Sequence, residues 1–365
     1  MTTVKSFDVV RLKRLLSRLR KVRIGVLGDL MLDRYLWGTA NRLSPEAAVP
    51  VVDYVSQSDC LGGAGNVAAN LAALGARVQA FGVVGGKKAG AKAIVDDGNG
   101  ANFRTCLHNA TIDDAGVLPD LCRVTTVKTR IIARHQQIVR IDLERRDPLS
   151  TDSEEKLYRL LVASVKTLDA LILSDYDKGL LTDSLAERVL HACHQFEVPV
   201  FVKPKTSRLF AYHGARAIVC NAKEAGFYVT RSLSSEQSVE EAGRALLPHF
   251  GCAAVVITRG EQGMSIFEES SPRPLHIPAT SFEVTYARVG QPGIEHGSTG
   301  RQVFDVTGAG DTVLSVLSLA VAAGASLPDA AFLANTAAGV VVGKLGTATV
   351  TAAELAAALD DAQQQ

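Results

Sequence analysis

A glycine-rich segment at residues 305–312, DVTGAGDT, ends in a carboxylate and directly precedes an apolar stretch of helical length. Backbone N–H groups of Gly308, Ala309 and Gly310 could approach an anion there, and the helix dipole would add positive potential. Asp311 would lie in the first helical turn, where a carboxylate can take a proton from an attacking hydroxyl. The pattern favours phosphoryl transfer. The alternative is a glycine-rich helix start in which Asp311 only complements the dipole.

Polar groups suited to a polyol occur in two further places. Asp29 and Asp33 follow a predicted buried strand, where carboxylates can accept hydrogen bonds from hydroxyl groups. Each could instead cap the next turn, and we favour the hydroxyl-binding role more firmly for Asp29. Gly62, Gly63 and Asn66 combine close backbone approach with an amide that both donates and accepts. Taken alone, the two glycines would also fit a tight turn.

Basic side chains accumulate in one polar segment and just past one predicted strand. The candidates are Lys128, Arg130, Arg134, Arg140 and Lys178. A ligand that already carries a phosphate needs such charges, and guanidinium groups match its oxygens. A solvated basic face is the alternative. We favour Lys178, Arg130 and Arg134 over Arg140.

Alternating strands and helices are predicted to position these groups. Strands are expected at residues 22–27, 171–173, 198–202, 217–220 and 253–258, and helices at 184–196, 239–249, 309–323 and 330–342. This alternation indicates βαβ units, a mostly parallel sheet and helices on both of its faces. The fold class is therefore α/β, and 365 residues are enough for one large domain.

Residues 48–56 and 124–142 break this rhythm because they alternate apolar and polar side chains. Such alternation is typical of half-covered β-ribbons, and we expect a small lid over the carboxyl edge of the sheet. Exposed strand edges are commonly covered by a partner, so we predict a homodimer formed through the lid. Residues 285–301 have no period and predict a surface loop.

Composition excludes several functional classes. The formal charge of +1 combines 39 basic and 38 acidic residues, so no global field would recruit nucleic acid or an anionic membrane. No apolar stretch is long enough to span a bilayer. Six cysteines without a CxxC pair argue against a zinc site or a disulfide framework. We therefore expect a cytoplasmic protein.

Two motifs in order identify a family resemblance. Residues 305–312 resemble the C-terminal signature of the ribokinase-like (phosphofructokinase B type) carbohydrate kinases, and residues 62–68 (GGAGNVA) resemble the N-terminal one. Further segments are similar to the bacterial heptose 7-phosphate kinases: 28–35 (GDLMLDRY), 42–51 (RLSPEAAVPV), 134–142 (RHQQIVRID), 173–179 (LSDYDKG) and 337–347 (AAGVVVGKLGT). The resemblance extends from about residue 22 to residue 355.

This resemblance implies a ribokinase-like three-layer sandwich that uses ATP and Mg²⁺. It implies phosphorylation of D-glycero-β-D-manno-heptose 7-phosphate at O1, on the route to ADP-heptose and lipopolysaccharide, in the stand-alone form of the kinase. It also places Asp29 and Asp33 in the sugar pocket and makes Asp311 the base. The rivals are a kinase for another sugar or a nucleoside, and a catalytically silent sugar-binding subunit.

The resemblance also implies a set of nucleotide-binding residues: Asn221, Glu224, Thr258, Gly260, Gly263 and Asn335. Glu224 would organise Mg²⁺ and its waters, which suits an ion that borrows few carboxylates. Asn221 and Glu224 could otherwise cap a helix, and Gly260 and Gly263 could form a hairpin turn. Asn335 would face adenine.

Three departures from the family pattern stand out. Lys87 and Lys88 replace acidic residues after Gly85 and Gly86, which affects a sugar contact or the anchoring of the following helix. Lys203 replaces the Asp of an Asp-Pro-Lys triplet, which changes the charge balance beside the next lysine near the nucleotide phosphates. The predicted loop at residues 285–301 is longer than this family leads us to expect.

Overall fold

The computed structural model describes residues 7–90, 93–133, 136–205, 212–280, 308–344 and 348–363. Arg134, residues 305–307 and the predicted loop at 285–301 lie outside these ranges. The helices are α1 (Val9–Arg18), α2 (Ala64–Ala73), α3 (Gly98–Asn109), α4 (Thr151–Val165), α5 (Asp183–Gln195), α6 (Ala222–Tyr228), α7 (Glu236–Phe250), α8 (Ala309–Ala322), α9 (Leu327–Val341) and α10 (Ala352–Gln363).

The strands belong to two sheets. They are β1 (Arg23–Gly28), β2 (Leu30–Leu43), β3 (Pro50–Gly63), β4 (Arg77–Ala89), β5 (Ala93–Asp96), β6 (Asp113–Asp120), β7 (Thr126–Ala133), β8 (Gln136–Leu143), β9 (Ala170–Ser174), β10 (Val200–Lys203), β11 (Ala217–Asn221), β12 (Ala254–Thr258), β13 (Met264–Glu268) and β14 (Leu275–Ile277). The larger sheet has the order β14-β13-β12-β11-β10-β9-β1-β4, with β5 and β6 also paired to β4. Its pairs from β12 through β4 are parallel, as predicted.

Helices cover both faces of this sheet because its strands are apolar on both sides. Ile24, Val26 and Ile172 pack in a core with α1, α2 and α8 to α10. Leu171 and Leu173 point to the opposite face and pack with α4 to α7. The predicted three-layer α/β sandwich is therefore confirmed. Within the described ranges, no helix combines the length and apolarity needed to cross a membrane.

The smaller sheet has the order β3-β2-β7-β8 and corresponds to the predicted lid, and we call it the lid below. Strand β3 and the hairpin of β7 and β8 overlap the predicted ribbons at residues 48–56 and 124–142. Sequence analysis missed β2 because its first half is buried on both faces and lacks polar alternation. Only Asp29 separates β1 from β2, so the lid extends directly from the central strand.

Parallel pairing brings the carboxyl ends of five strands to one edge of the larger sheet. Gly28 and Lys203 both lie beside Ser174 in register. Asn221, at the end of β11, lies beside Thr258, at the end of β12. This edge therefore gathers residues that are far apart in sequence, as expected for ligand sites of open α/β sheets.

Candidate active site

Helices α2 and α8 begin at glycine rather than at a capping side chain. Gly63 has a φ of 57° and Gly308 a φ of 88°, a backbone conformation that glycine adopts without strain. In α1, α3 to α7 and α9, a side chain at the N-cap accepts a first-turn N–H. Because neither glycine can do this, the first-turn amides at Gly308, Ala309 and Gly310 can bind an anionic ligand instead.

Asp311 lies in the first turn of α8 and is only 6% exposed. The Asn66 amide donates to its Oδ2 at 2.9 Å. The Tyr176 hydroxyl and the Lys203 ammonium donate to its Oδ1 at 2.5 and 2.7 Å. Burial and the charge of Asp311 raise the pKa of Tyr176 well above 10, so this phenol remains a donor. Three elements therefore hold the predicted base.

A polar seam joins α2 to α8 behind this carboxylate. The Thr312 hydroxyl donates to Asn70 Oδ1 at 3.0 Å, and Asn70 donates to the Asn66 carbonyl at 2.9 Å. The Ser315 hydroxyl contacts the Val67 carbonyl at 3.1 Å. These bonds fix the rotation of the two helices about their axes. The Asn66 amide is therefore held against Asp311.

The carboxylate of Asp29 orders the loop that follows β9. It accepts the backbone N–H groups of Tyr176, Lys178 and Leu180 at 2.8, 3.2 and 3.3 Å. Burial raises its pKa to about 6, the negative charge of Asp175 adds to this, and the three amide bonds oppose it. Both oxygens already accept hydrogen bonds, which corresponds more closely to the predicted turn-organising alternative than to a free sugar contact.

Asp33 lies on β2, near enough to Asp311 for their charges to interact, and we call the space between the lid and the Asp311 end of the larger sheet the cleft. It is 4% exposed and accepts the Arg130 guanidinium at 2.6 Å. Burial raises its pKa, the Arg130 charge opposes that shift, and the charge of Asp311 reinforces it. A Cβ at Gly62 would lie 2.8 Å from its carboxyl group, so glycine leaves the room that this side chain needs.

The lid cations are paired with carboxylates. Glu144, just after β8, accepts Lys178 at 2.9 Å and Lys128 at 3.3 Å. Partial burial acts to raise its pKa, but hydrogen bonds from Lys178 and a neighbouring arginine lower it to about 2. Lys128 also contacts Asp142 at 3.0 Å, as does the half-exposed Arg140 at 2.9 Å. Arg130 and Lys128 thus lie close to Asp33, and Lys178 meets Lys128 at Glu144, whereas Arg140 is half exposed.

The nucleotide-side motif at the end of β11 forms a capping box. Asn221 Oδ1 accepts the Glu224 amide at 2.8 Å, and Glu224 Oε2 accepts the Asn221 amide at 2.9 Å. Lys205 lies 3.4 Å from Glu224 Oε1. The helix cap that we considered as an alternative is present. The same carboxylate still faces the carboxyl edge of the sheet, so it could also serve one Mg²⁺ through water.

The predicted nucleotide glycines form the turn between β12 and β13, as the hairpin alternative expected. Gly260 and Gly263 have φ values of 59° and 81°. A Cβ at Gly263 would lie 2.0 Å from the Ile277 carbonyl. Thr258 ends β12 beside this turn. The Asn335 amide donates to two oxygens just after β14, each at 2.8 Å, which ties α9 to this region.

The Lys87 and Lys88 departure has no contact with the cleft. Both side chains are exposed on the hairpin of β4 and β5. The helix that follows is anchored by Asp97, which accepts the Gly100 amide at 2.6 Å and the Thr125 hydroxyl at 2.7 Å. The carboxylate that anchors α3 in this chain is therefore that of Asp97.

Sequence analysis assigned no role to Tyr176 and no partner to Glu144, and it treated Lys203 only as a departure. Lys203 contacts Asp311 at 2.7 Å, and the ammonium groups of Lys203 and Lys205 lie 5.5 and 5.9 Å from the centre of the Tyr176 ring. Lys203 is the last residue of β10, and Tyr176 lies in the loop just after the carboxyl end of β9. That position was the available signal, because such ends meet at one edge of the sheet.

Comparison with known sequences identifies the family. The pfkB family of carbohydrate kinases matches residues 23–354. The bifunctional protein HldE of Geobacter sulfurreducens is 44% identical over 334 residues, covering 92% of this chain and 62% of that protein. HldE of Geotalea uraniireducens is 42% identical over 351 residues, covering 96% and 66%. The chain thus spans about two thirds of the length of these relatives.

Solved structures agree on the fold. A ribokinase from Arabidopsis thaliana, complexed with ribose and ATP, has a TM-score of 0.67 and 17% identity, covering 93% of this chain and 98% of that one. Phosphofructokinase-2 from Escherichia coli has a TM-score of 0.71 and 18% identity, covering 94% and 100%. The chain belongs to the pfkB family and is a carbohydrate kinase with a ribokinase-like fold, as the motifs indicated.

The raised pKa of Asp29 predicts a pH-dependent stability. Between about pH 4 and pH 6 the folded state binds more protons than the unfolded state, so the unfolding free energy falls as the pH rises. Over this range the wild type should lose about 2 kcal/mol more than Asp29→Asn does. Urea denaturation at several pH values measures the difference. The exposed Asp361→Asn should behave like the wild type, and equal slopes for wild type and Asp29→Asn would contradict the assignment.

Proposed function

We propose that this kinase transfers the γ-phosphoryl group of ATP to O1 of D-glycero-β-D-manno-heptose 7-phosphate. The observation that carries the chemistry is the buried carboxylate of Asp311 at the uncapped N-terminus of α8. A general base and a set of anion-binding amides are thereby placed within one helical turn. In-line phosphoryl transfer needs these two elements side by side.

A phosphorylated acceptor is supported by the charges around the cleft. The ammonium groups of Lys178 and Lys128 both contact Glu144, and the Arg130 guanidinium contacts Asp33 beside the cleft. An incoming phosphate can replace carboxylate contacts with charge-assisted hydrogen bonds of similar kind. We propose that these cations bind the 7-phosphate, together with Arg134, which lies outside the described residues.

The sugar identity is supported by where the heptose-kinase-like segments lie. The segment at 28–35 contributes Asp29 and Asp33, and the segment at 173–179 contributes Tyr176 and Lys178. Gly62, Gly63 and Asn66 of the N-terminal signature border the same cleft. Two of the five resembling segments and the N-terminal signature thus contact a common set of groups, because Asp29 accepts the Tyr176 amide and both Asn66 and Tyr176 donate to Asp311.

The chain's own groups account for the transfer step. Asp311 accepts the proton of O1 as that oxygen attacks the γ-phosphorus, and the bond to the ADP oxygen breaks. The amides of Gly308, Ala309 and Gly310 offset charge on the moving phosphoryl group. The lid of β2, β3, β7 and β8 excludes water that would otherwise hydrolyse ATP.

The nucleotide and its ion fit the other end of the cleft. Asn221, Glu224, Thr258, Gly260, Gly263 and Asn335 are the proposed ATP-side residues. Glu224 would hold Mg²⁺ through water, and the bound ion would reduce the negative charge of the phosphates. Because ATP is the phosphoryl donor, we place the reaction in the cytoplasm.

We also propose that two copies associate through their lids. The lid edges β3 and β8 carry large exposed apolar side chains, including Tyr54 and Val55 at 66% and Ile141 at 55%. An exposed apolar edge strand offers unpaired backbone groups as well as apolar surface. A second copy presents the same edges, so symmetric pairing covers both.

A sugar panel tests the proposed reaction. ADP production should be fastest with the heptose 7-phosphate and at least 10-fold slower with ribose, fructose 6-phosphate or a nucleoside, because the 7-phosphate cations match only the first. Preference for another sugar would refute the heptose assignment.

The Asp311→Asn variant tests the proposed base. It should reduce turnover by about 10²–10⁴-fold, the usual contribution of a general base, with sugar affinity retained. Near-normal turnover by this variant would rule out the role of Asp311 as base.

Lys178→Met tests the phosphate subsite separately. We expect KM for the sugar phosphate to rise about 10- to 100-fold, the worth of one charge-assisted hydrogen bond, while KM for ATP changes little. Lys166→Met, at an exposed lysine stacked on Phe196, is the matched control. Steady-state kinetics with each substrate varied in turn measures both constants. An equal rise in the two KM values would count against a dedicated sugar-phosphate contact.

Sedimentation at micromolar concentration tests the dimer. The wild type should sediment as a dimer, and Ile141→Lys should shift it to monomer because a charge would be buried at the interface. Val10→Lys replaces an equally exposed apolar residue on α1 and should leave the dimer intact. A monomeric wild type would overturn the proposal.

A further inference from the structure

Lys203 is the last residue of β10, and its ammonium is held at the start of α8. Its Nζ lies 2.7 Å from Asp311 Oδ1, and its side chain is 17% exposed. A Cβ built on Gly310 would lie 3.1 Å from the same Nζ. The ammonium therefore contacts the proposed base and lies beside Gly310 in the first helical turn, whose amides are proposed to receive the phosphoryl group.

A lysine in this position can pair with either of two anions, the Asp311 carboxylate or the γ-phosphate of a bound nucleotide. In the structure it pairs with Asp311, which also accepts hydrogen bonds from Tyr176 and Asn66. A γ-phosphate seated on the first turn of α8 would place its oxygens against the same ammonium. Because a terminal phosphate carries more negative charge than one carboxylate, the phosphate competes well for it.

We propose that Lys203 is a catalytic lysine that moves from Asp311 to the γ-phosphoryl group when ATP binds. The move leaves Asp311 with Asn66 and Tyr176 and makes room for the acceptor hydroxyl at Oδ1. This inference rests on the proposed kinase reaction and assigns one of its residues.

The charges balance through the step. The proton of the acceptor hydroxyl passes to Asp311, so the carboxylate becomes neutral as the phosphoryl group transfers. Lys203 stays protonated throughout and remains with the phosphoryl oxygens, whose charge it offsets. Its flexible four-carbon stem allows the short displacement from one partner to the other. Gly310 leaves space for that movement, because any side chain there would approach the ammonium.

Nucleotide binding without sugar tests this role. Titration calorimetry with Mg²⁺ compares ADP with the β,γ-imido analogue of ATP, which differs in carrying the γ-phosphate. Lys203→Met should weaken analogue binding about 10-fold or more while changing ADP affinity less than about 2-fold. Lys203→Arg should keep most of the preference because it keeps the charge. Lys203→Gln replaces the Met variant if that one does not fold.

Turnover supplies the second readout. Lys203→Met should lower kcat by about 10²-fold or more, the usual effect of removing one transition-state charge contact, with KM for the sugar unchanged. Lys156→Met, at an exposed lysine paired with Asp152 on α4, is the matched control and should match the wild type in both assays.

The outcomes separate this inference from the reaction itself. If Lys203→Met weakens the binding of ADP and of the analogue equally, or weakens neither, the proposed role of Lys203 is overturned. This holds even if the wild type turns over the heptose phosphate normally. Conversely, a selective loss of analogue affinity supports Lys203 even if another sugar proves to be the acceptor. A wild type that binds neither nucleotide overturns both proposals.

Discussion

A buried carboxylate needs hydrogen-bond donors, and the organisation of this protein around Asp311 follows from that requirement. An uncompensated charge in a nearly water-free site would cost several kcal/mol. Here donors come from α2, from the loop after β9 and from the end of β10, as Asn66, Tyr176 and Lys203. Each belongs to a different element, so the carboxylate is satisfied only when the sheet, both helices and the loop are assembled.

The supporting contacts extend this dependence outward. The loop that carries Tyr176 is shaped by Asp29, itself a buried carboxylate that accepts three backbone amides. The Asn66 amide is oriented by the polar seam between α2 and α8. The position of the groups that contact Asp311 therefore depends on the buried Asp29 carboxylate and on the packing of α2 against α8. Such networks specify a single arrangement, because each unsatisfied member would be costly.

Much of the fold was predictable because it follows local patterns. The alternation of apolar strands and helices indicated a parallel sheet covered on both faces, and the structure has that arrangement. Strand β2 was missed because burial on both faces removes the polar alternation that marks a ribbon. Asp311 and its glycines were predictable as a site because residue type and helix position coincide in eight residues.

The sequence by itself determined the family and the layered fold, and it was enough to predict Asp311 as a base beside anion-binding amides, since these features depend on residues close together along the chain. Tertiary structure alone decided which groups contact Asp311. Lys203 and Tyr176 are separated from Asp311 by more than a hundred residues, and only the parallel register of β9 and β10 brings them to one edge. Likewise, Asp29 faces amides rather than open cleft because the loop after β9 folds over it. Distance in space depends on pairing and packing between elements, which no local pattern encodes.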